Sequence, residues 1–109
     1  MKDAALVTWE VLDLMGRRDD TDLEKQVASS ADTIRMMAYA YTRGGGFNPL
    51  NINEVKPDVF SVLVTATARL VANPEQIRYQ VGALSMNEGF RGWSLAERAV
   101  LDRYRRKAA

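Results

Sequence analysis

The sequence predicts a mainly α fold: a small helical bundle around a central buried helix, with an extended arm or β-hairpin before the C-terminal helix. Three stretches carry that prediction. Pro57 to Asn73 is apolar on nearly every side. Leu23, Val27, Ala31, Ile34, Ala38 and Tyr41 recur at steps of four, four, three, four and three, which is one stripe of a long amphipathic helix. Ser94-Leu-Ala-Glu97 is a capping box, in which each terminal side chain satisfies a free backbone donor at a helix start.

In chain order, Thr8 is expected to cap a short helix, Trp9 to Met15, with Glu10 in its first turn. Leu12, Met15 and Trp9 form its expected inner face, and Gly16 stops it. A polar turn, GRRDDTD, follows. Asp20 or Thr21 caps the second helix, and Asp22 and Glu24 favour its positive end. Met36, Met37 and Tyr39 widen its apolar side, as core and boundary residues or as contacts for a neighbouring chain. Gly44-Gly45-Gly46 ends it. No Lys-Ser/Thr follows, so the glycines read as a flexible connector rather than a phosphate cradle. Phe47 to Lys56 reads as an irregular link, with Phe47, Leu50, Ile52 and Val55 tucked under the helices.

The central helix begins at Pro57, whose missing N–H is not needed in a first turn, and Asp58 complements the helix dipole. Its valines and threonines would also suit a strand, but length and the proline start favour helix. At about 17 residues, with Arg69 inside, it is short for a membrane span. Asn73-Pro74 closes it. Ile77, Tyr79 and Val81 then alternate with polar residues, and Leu84 and Met86 resume the alternation after Gly82. This is an arm over 77–90 that needs a surface to lie on. In the last helix, Trp93 precedes the cap, and Ala96, Val100, Leu101 and Tyr104 form a short apolar face. Arg103, Arg105, Arg106 and Lys107 crowd its end, where cations complement the dipole or serve binding.

With 109 residues the chain is one domain, 1–109, divided into a helical core 1–74, the arm 77–90 and a C-terminal helix 94–107. Cysteine and histidine are both absent, which removes disulfides, thiolate metal sites and the commonest general base. No catalytic, metal or cofactor set is expected. Met1 to Ala5 lacks a secretory pattern, so a soluble protein used without export is the expectation. The net charge is +1, but residues 1–32 carry −4 and residues 91–109 carry +4. The two ends can meet between neighbouring copies, and the basic end can meet nucleic acid or an acidic partner.

The second half carries a recognisable order of short motifs. Arg69 is followed by Leu70-Val71, then Asn73-Pro74, Ile77-Arg78, the arm Tyr79 to Phe90 and finally Leu95-Ala96-Glu97-Arg98. This order resembles the head-to-tail adaptor (connector) proteins of tailed bacteriophages. The first half agrees in layout: a short helix, a polar loop, then a long helix ending in a glycine-bearing aromatic connector. The Gly44–Gly46 run and the 47–56 connector are looser than that pattern.

The resemblance implies a mostly helical virion protein that forms a closed ring of about twelve copies beneath the portal. The ring extends the DNA channel and joins the capsid to the next neck or tail component. It implies a virion location, with synthesis in the host cytoplasm, and no membrane partner. Portal docking then falls to the C-terminal segment: Arg98, Val100, Leu101, Arg103, Arg105, Arg106 and Lys107, with Tyr104 as apolar anchor. A chain cut after Phe90 is expected to lose portal binding yet stay soluble and helical. Tyr79, Val81, Leu84 and Met86 form the expected inter-subunit clasp. Arginines and lysines in the channel meet genomic DNA at phosphates without reading bases.

Other classes stand beside this one. A tail-terminator or stopper of the same neck shares most of these features. A small helical DNA-binding protein is less well matched, because no helix opens with the Arg, Asn and Gln of a recognition helix after a short turn. An enzyme is not expected, since no pair of carboxylates, lysines or hydroxyls stands at a catalytic spacing.

Overall fold

The computed structural model describes residues 1–72 and 92–107. The Asn73-Pro74 stop and the whole arm, including Tyr79, Val81, Leu84 and Met86, lie outside the described residues. The described chain is mainly helical, as the sequence predicts, with a small three-stranded sheet that it does not. The order is β1 (Lys2–Asp3), a 3-10 turn (Ala4–Leu6), α1 (Val7–Leu14), α2 (Thr21–Thr42), β2 (Phe47–Asn48), β3 (Asn51–Val55), α3 (Pro57–Ala72) and α4 (Leu95–Tyr104).

The first helix starts earlier than expected. Asp3, not Thr8, supplies the cap: its Oδ1 accepts from the Ala5 amide at 2.9 Å, and the 3-10 turn runs straight into α1. This rotates the buried face to Val7, Val11 and Leu12, while Met15 is exposed and Trp9 is 49% exposed. The helix ends as predicted at Gly16. Gly16 donates to the Asp13 carbonyl at 3.1 Å and Arg17 to the Leu12 carbonyl at 2.9 Å, a closure that needs the left-handed φ of 69° at Gly16.

Asp20 caps α2 through a 3.0 Å bond from the Leu23 amide. That bond first, then the neighbouring Arg17 guanidinium, holds the Asp20 carboxyl below its ordinary range. The predicted stripe is the buried one: Val27, Ala31, Ile34 and Ala38 are in the core, with Leu23 and Tyr41 packed against it. Met37 packs there too, whereas Met36 and Tyr39 are exposed.

The link after the glycines is a hairpin. β3 sits between β1 and β2, antiparallel to both, with Lys2 opposite Val55, Asp3 opposite Glu54 and Phe47 opposite Val55. Asn48 holds the turn: its Oδ1 accepts from the Leu50 amide at 2.9 Å and its Nδ2 donates to Glu54 at 2.7 Å. Phe47 and Val55 are buried as expected, but Leu50, at the tip, is 94% exposed and Ile52 is also exposed. Lys2 lies over the Phe60 ring at 4.5 Å and ties the sheet to α3.

Helix α3 is the centre of the molecule. It packs on α1, α2 and α4, and buries Val59, Phe60, Val62, Leu63, Ala66, Thr67, Leu70 and Val71. Each such aliphatic or aromatic side chain contributes about 1.5–3 kcal/mol on burial. α1 and α4 each contact both α2 and α3, so the last helix belongs to the core of the domain rather than hanging from it.

Candidate docking surface of the C-terminal segment

Two polar clusters fasten α4 to the body. The first is centred on Glu97, in the first turn of α4, with a side chain only 5% exposed. Its Oε1 accepts from Arg69 Nη2 at 2.7 Å and from the Ser94 amide at 2.8 Å. Its Oε2 accepts from Thr65 Oγ1 at 2.5 Å and from Arg69 Nη1 at 3.0 Å. Ser94 Oγ accepts the Glu97 amide at 3.1 Å, which completes the predicted capping box. Arg69 also donates to the Gly92 carbonyl. Burial pushes the Glu97 carboxyl up, but Arg69, Thr65 and the Ser94 amide together outweigh it and hold the group below its ordinary value.

The second cluster closes the far end of α4. The Tyr104 hydroxyl donates to the Asp58 carboxylate, 2.9 and 2.8 Å from its two oxygens. Donating to a carboxylate favours the neutral phenol and raises Tyr104 above its ordinary value. Arg103 reaches the same carboxylate at 3.4 Å, and Tyr41 donates to Asp102 at 2.5 Å. Beyond the helix the chain turns back on the end of α2. The Arg106 amide donates to the Thr42 carbonyl at 3.0 Å, and Arg43 Nη1 donates to the Arg106 carbonyl at 2.7 Å.

The glycine run serves this closure. A β-carbon on Gly45 would stand 1.6 Å from the Tyr104 carbonyl oxygen, so only glycine admits the end of α4. The expected flexible connector is thus a tight, buried turn whose Gly45 amide bonds the Thr42 carbonyl at 3.1 Å.

These contacts sort the residues expected to dock on a partner. Leu101 is fully buried, and Val100 and Tyr104 are partly buried and packed against the core. Tyr104, expected as an anchor for a partner, is anchored on its own chain through Asp58. Arg98, Arg103, Arg105, Arg106 and Lys107 are exposed. Arg105 stacks on the Tyr41 ring at 4.7 Å. Ala96, expected in the apolar face, is exposed, and Glu97 takes the inward position instead. Because Leu101 and Trp93 are core residues, removal of everything after Phe90 would open the core; the expected soluble, helical remnant does not follow.

Sequence reasoning placed Glu97 in the capping box but missed its second role as the partner of Arg69. The available signal was a single charge, Arg69, inside an otherwise apolar helix, which demands a buried anion somewhere in the chain. Among the described residues, no helix is long and apolar enough to cross a membrane. Comparison with protein-family models, curated proteins and solved structures finds no match.

Proposed function

We propose that the protein is a structural component of a tailed-phage virion: a head-to-tail adaptor that forms a homo-oligomeric ring under the portal, extends the DNA channel and joins the capsid to the neck or tail. It works without catalysis, cofactor or metal. The observation that carries this reading is the ordered motif series, from Arg69-Leu70-Val71 through Asn73-Pro74 to Leu95-Ala96-Glu97-Arg98. Further support comes from the Arg69–Glu97 pair, which joins the first and last members of that series across 28 residues. The outward cations and the exposed Leu6, Trp9, Leu14 and Leu95 suit a chain whose surface is covered in an assembly.

In this reading Arg98, Arg103, Arg105, Arg106 and Lys107 meet acidic groups of the portal. They do so from the outer face of α4 and the segment just beyond it, both of which stay docked, so the partner meets a preformed surface. Charges at such a rim steer and orient, and apolar contacts supply most of the affinity. Residues 77–90 clasp the next copy, and basic groups facing the channel meet DNA phosphates only.

The test mixes purified protein with portal rings and follows co-sedimentation. Triple charge reversal, Arg98→Glu, Arg106→Glu and Lys107→Glu, should abolish co-sedimentation at physiological salt while leaving the melting temperature nearly unchanged. Undiminished portal binding by the folded triple variant would remove the docking assignment. A duplex-DNA gel shift at low salt that showed sequence preference would favour a DNA-binding protein instead.

A further inference from the structure

A cleft of about 380 Å³ opens between the start of the chain, the middle of α2 and β3. It lies away from α4 and is untouched by the reading above. Its floor is made small by Ala4, Ala5, Ala28 and Ala31, and its polar lining includes Asp3, Asp32, Arg35, Asn51, Asn53 and Glu54. The volume falls at the lower end of ligand pockets, about 300–1,000 Å³.

Arg35 sets the chemistry. Its side chain is only 17% exposed, and Nη2 donates to Asp32 at 2.6 Å. Nη1 is buried and has no hydrogen-bond partner among the described residues. A buried charged donor left without an acceptor is costly, so the cleft favours an occupant that brings one. A free anion does not fit: Asp3, Asp32 and Glu54 outnumber Arg35 in the lining. A bare metal ion does not fit either, because no three carboxylates among the described residues converge to hold one. The occupant must carry a neutral acceptor for Arg35 and a positive charge for the carboxylates.

We propose that this cleft is a docking site for a lysine- or arginine-bearing segment of a partner protein. A backbone carbonyl of the segment accepts from Arg35 Nη1, and its basic side chain lies among Asp3, Asp32 and Glu54. An uncharged peptide carbonyl is cheaper to bury than the carboxylate of a free amino acid, which favours a chain over a small molecule. Geometry adds to this. β1 pairs β3 only at Glu54 and Val55, so Asn51 to Asn53 have no strand beside them on that side among the described residues. The Asn53 amide is held by Asn51 Oδ1 at 3.0 Å, so this stretch offers side-chain amides rather than a full backbone ladder.

The experiment is a two-dimensional ¹⁵N-NMR titration of the full chain with three probes: a blocked Ala-Lys-Ala-Lys-Ala peptide, its Glu counterpart, and free lysine. Binding of the lysine peptide should move signals of residues 3–8, 28–35 and 51–54 in a saturable way, with little response to the Glu peptide. Glu54→Gln and Arg35→Lys should each weaken it about tenfold, the loss of one charge-assisted bond. Far-UV circular dichroism verifies that both variants fold, and Glu54→Gln carries the test if Arg35→Lys does not. The proposal fails if the cleft signals stay still, if the shifts instead gather on the acidic residues 19–24, or if the variants bind as the parent does. It fails equally if free lysine binds as tightly as the peptide, which would make the cleft a small-molecule site. None of these outcomes depends on ring formation, so a negative result here leaves the adaptor reading to its own test.

Discussion

Replacing Glu97 by Gln should destabilise the domain strongly, although the change is nearly isosteric. Each carboxylate oxygen holds two donors: Arg69 Nη2 and the Ser94 amide on Oε1, Thr65 Oγ1 and Arg69 Nη1 on Oε2. An amide group has one acceptor oxygen and one NH2. Whichever way it is turned, the NH2 faces two donors, and two of the four contacts are lost. At about 1.5 kcal/mol for each bond to a charged group, the cost is about 3 kcal/mol. Arg69, left with a neutral partner, is 33% exposed and is partly rescued by water, so the full 3–5 kcal/mol of a broken buried pair is not reached.

Thermal unfolding followed by circular dichroism reads the effect. At about 4 °C or more per kcal/mol for a domain of this size, the midpoint should fall by about 12 °C. A double variant, Glu97→Leu with Arg69→Met, should recover part of that loss, because an apolar pair leaves no orphaned charge. The acid limb follows from the same site. The folded carboxyl titrates below its ordinary value, so its contribution is complete above that value and vanishes as pH falls through the depressed one. The acid-side loss of stability should therefore be shallower in Arg69→Met, which lacks the cation that holds the carboxyl down and so has less stability for acid to remove. A midpoint change under 2 °C for Glu97→Gln, or equal acid limbs for parent and Arg69→Met, would refute the clasp.

Gly45→Ala should be severe for its size. The new methyl cannot coexist with the Tyr104 carbonyl, so α4 must shift, at a cost of about 1–3 kcal/mol or more, visible as early proteolysis near the C-terminus. Tyr104→Phe should lower the melting temperature at neutral pH and flatten the alkaline limb. The parent keeps the Asp58 bond below the ordinary tyrosine value and loses it as pH rises through the raised folded value, whereas phenylalanine has no proton to lose. A chain ending at Phe90 should expose the surfaces that Trp93 and Leu101 cover and aggregate or unfold on size-exclusion chromatography.

The helices were legible because each carries a local rule that tertiary structure did not override. The α2 stripe, the proline start of α3 and the Ser94–Glu97 box name their own ends and faces. The sheet was not legible. Its strands are two to five residues long, β3 buries only Val55 fully, and three of its five residues are Asn or Glu, which are poor strand formers. Asparagine side chains at 48 and 51 build the turn, a signal easily read as an irregular loop. The first helix begins at Val7 rather than Trp9 because the Asp3-capped 3-10 turn runs into it, so Val7 and Val11 join Leu12 on the inner face in place of Trp9 and Met15. The glycine run misled for a different reason. Three glycines do allow flexibility, but the same lack of side chains lets a distant backbone approach, and only the fold reveals which use prevails.

The placement of α4 constrains how any partner is engaged. A helix whose apolar residues were free could exchange into a neighbour. Here Leu101 is in the core, Glu97 is clasped by Arg69, and Tyr104 and Arg106 are tied to α3 and α2. Detaching the helix would surrender the buried pair and the core contacts together, at a cost comparable with the 5–15 kcal/mol stability of an ordinary domain. Binding through released apolar residues is therefore disfavoured. Binding through the outward cations costs only their hydration. The C-terminal segment should accordingly show the same amide-exchange protection in the free protein as in an assembly at Leu101 and Tyr104. New protection should appear only beside Arg98, Arg103 and Arg105 to Lys107. Loss of protection at Leu101 on assembly would mean that the helix leaves its seat, and would overturn this mode of contact.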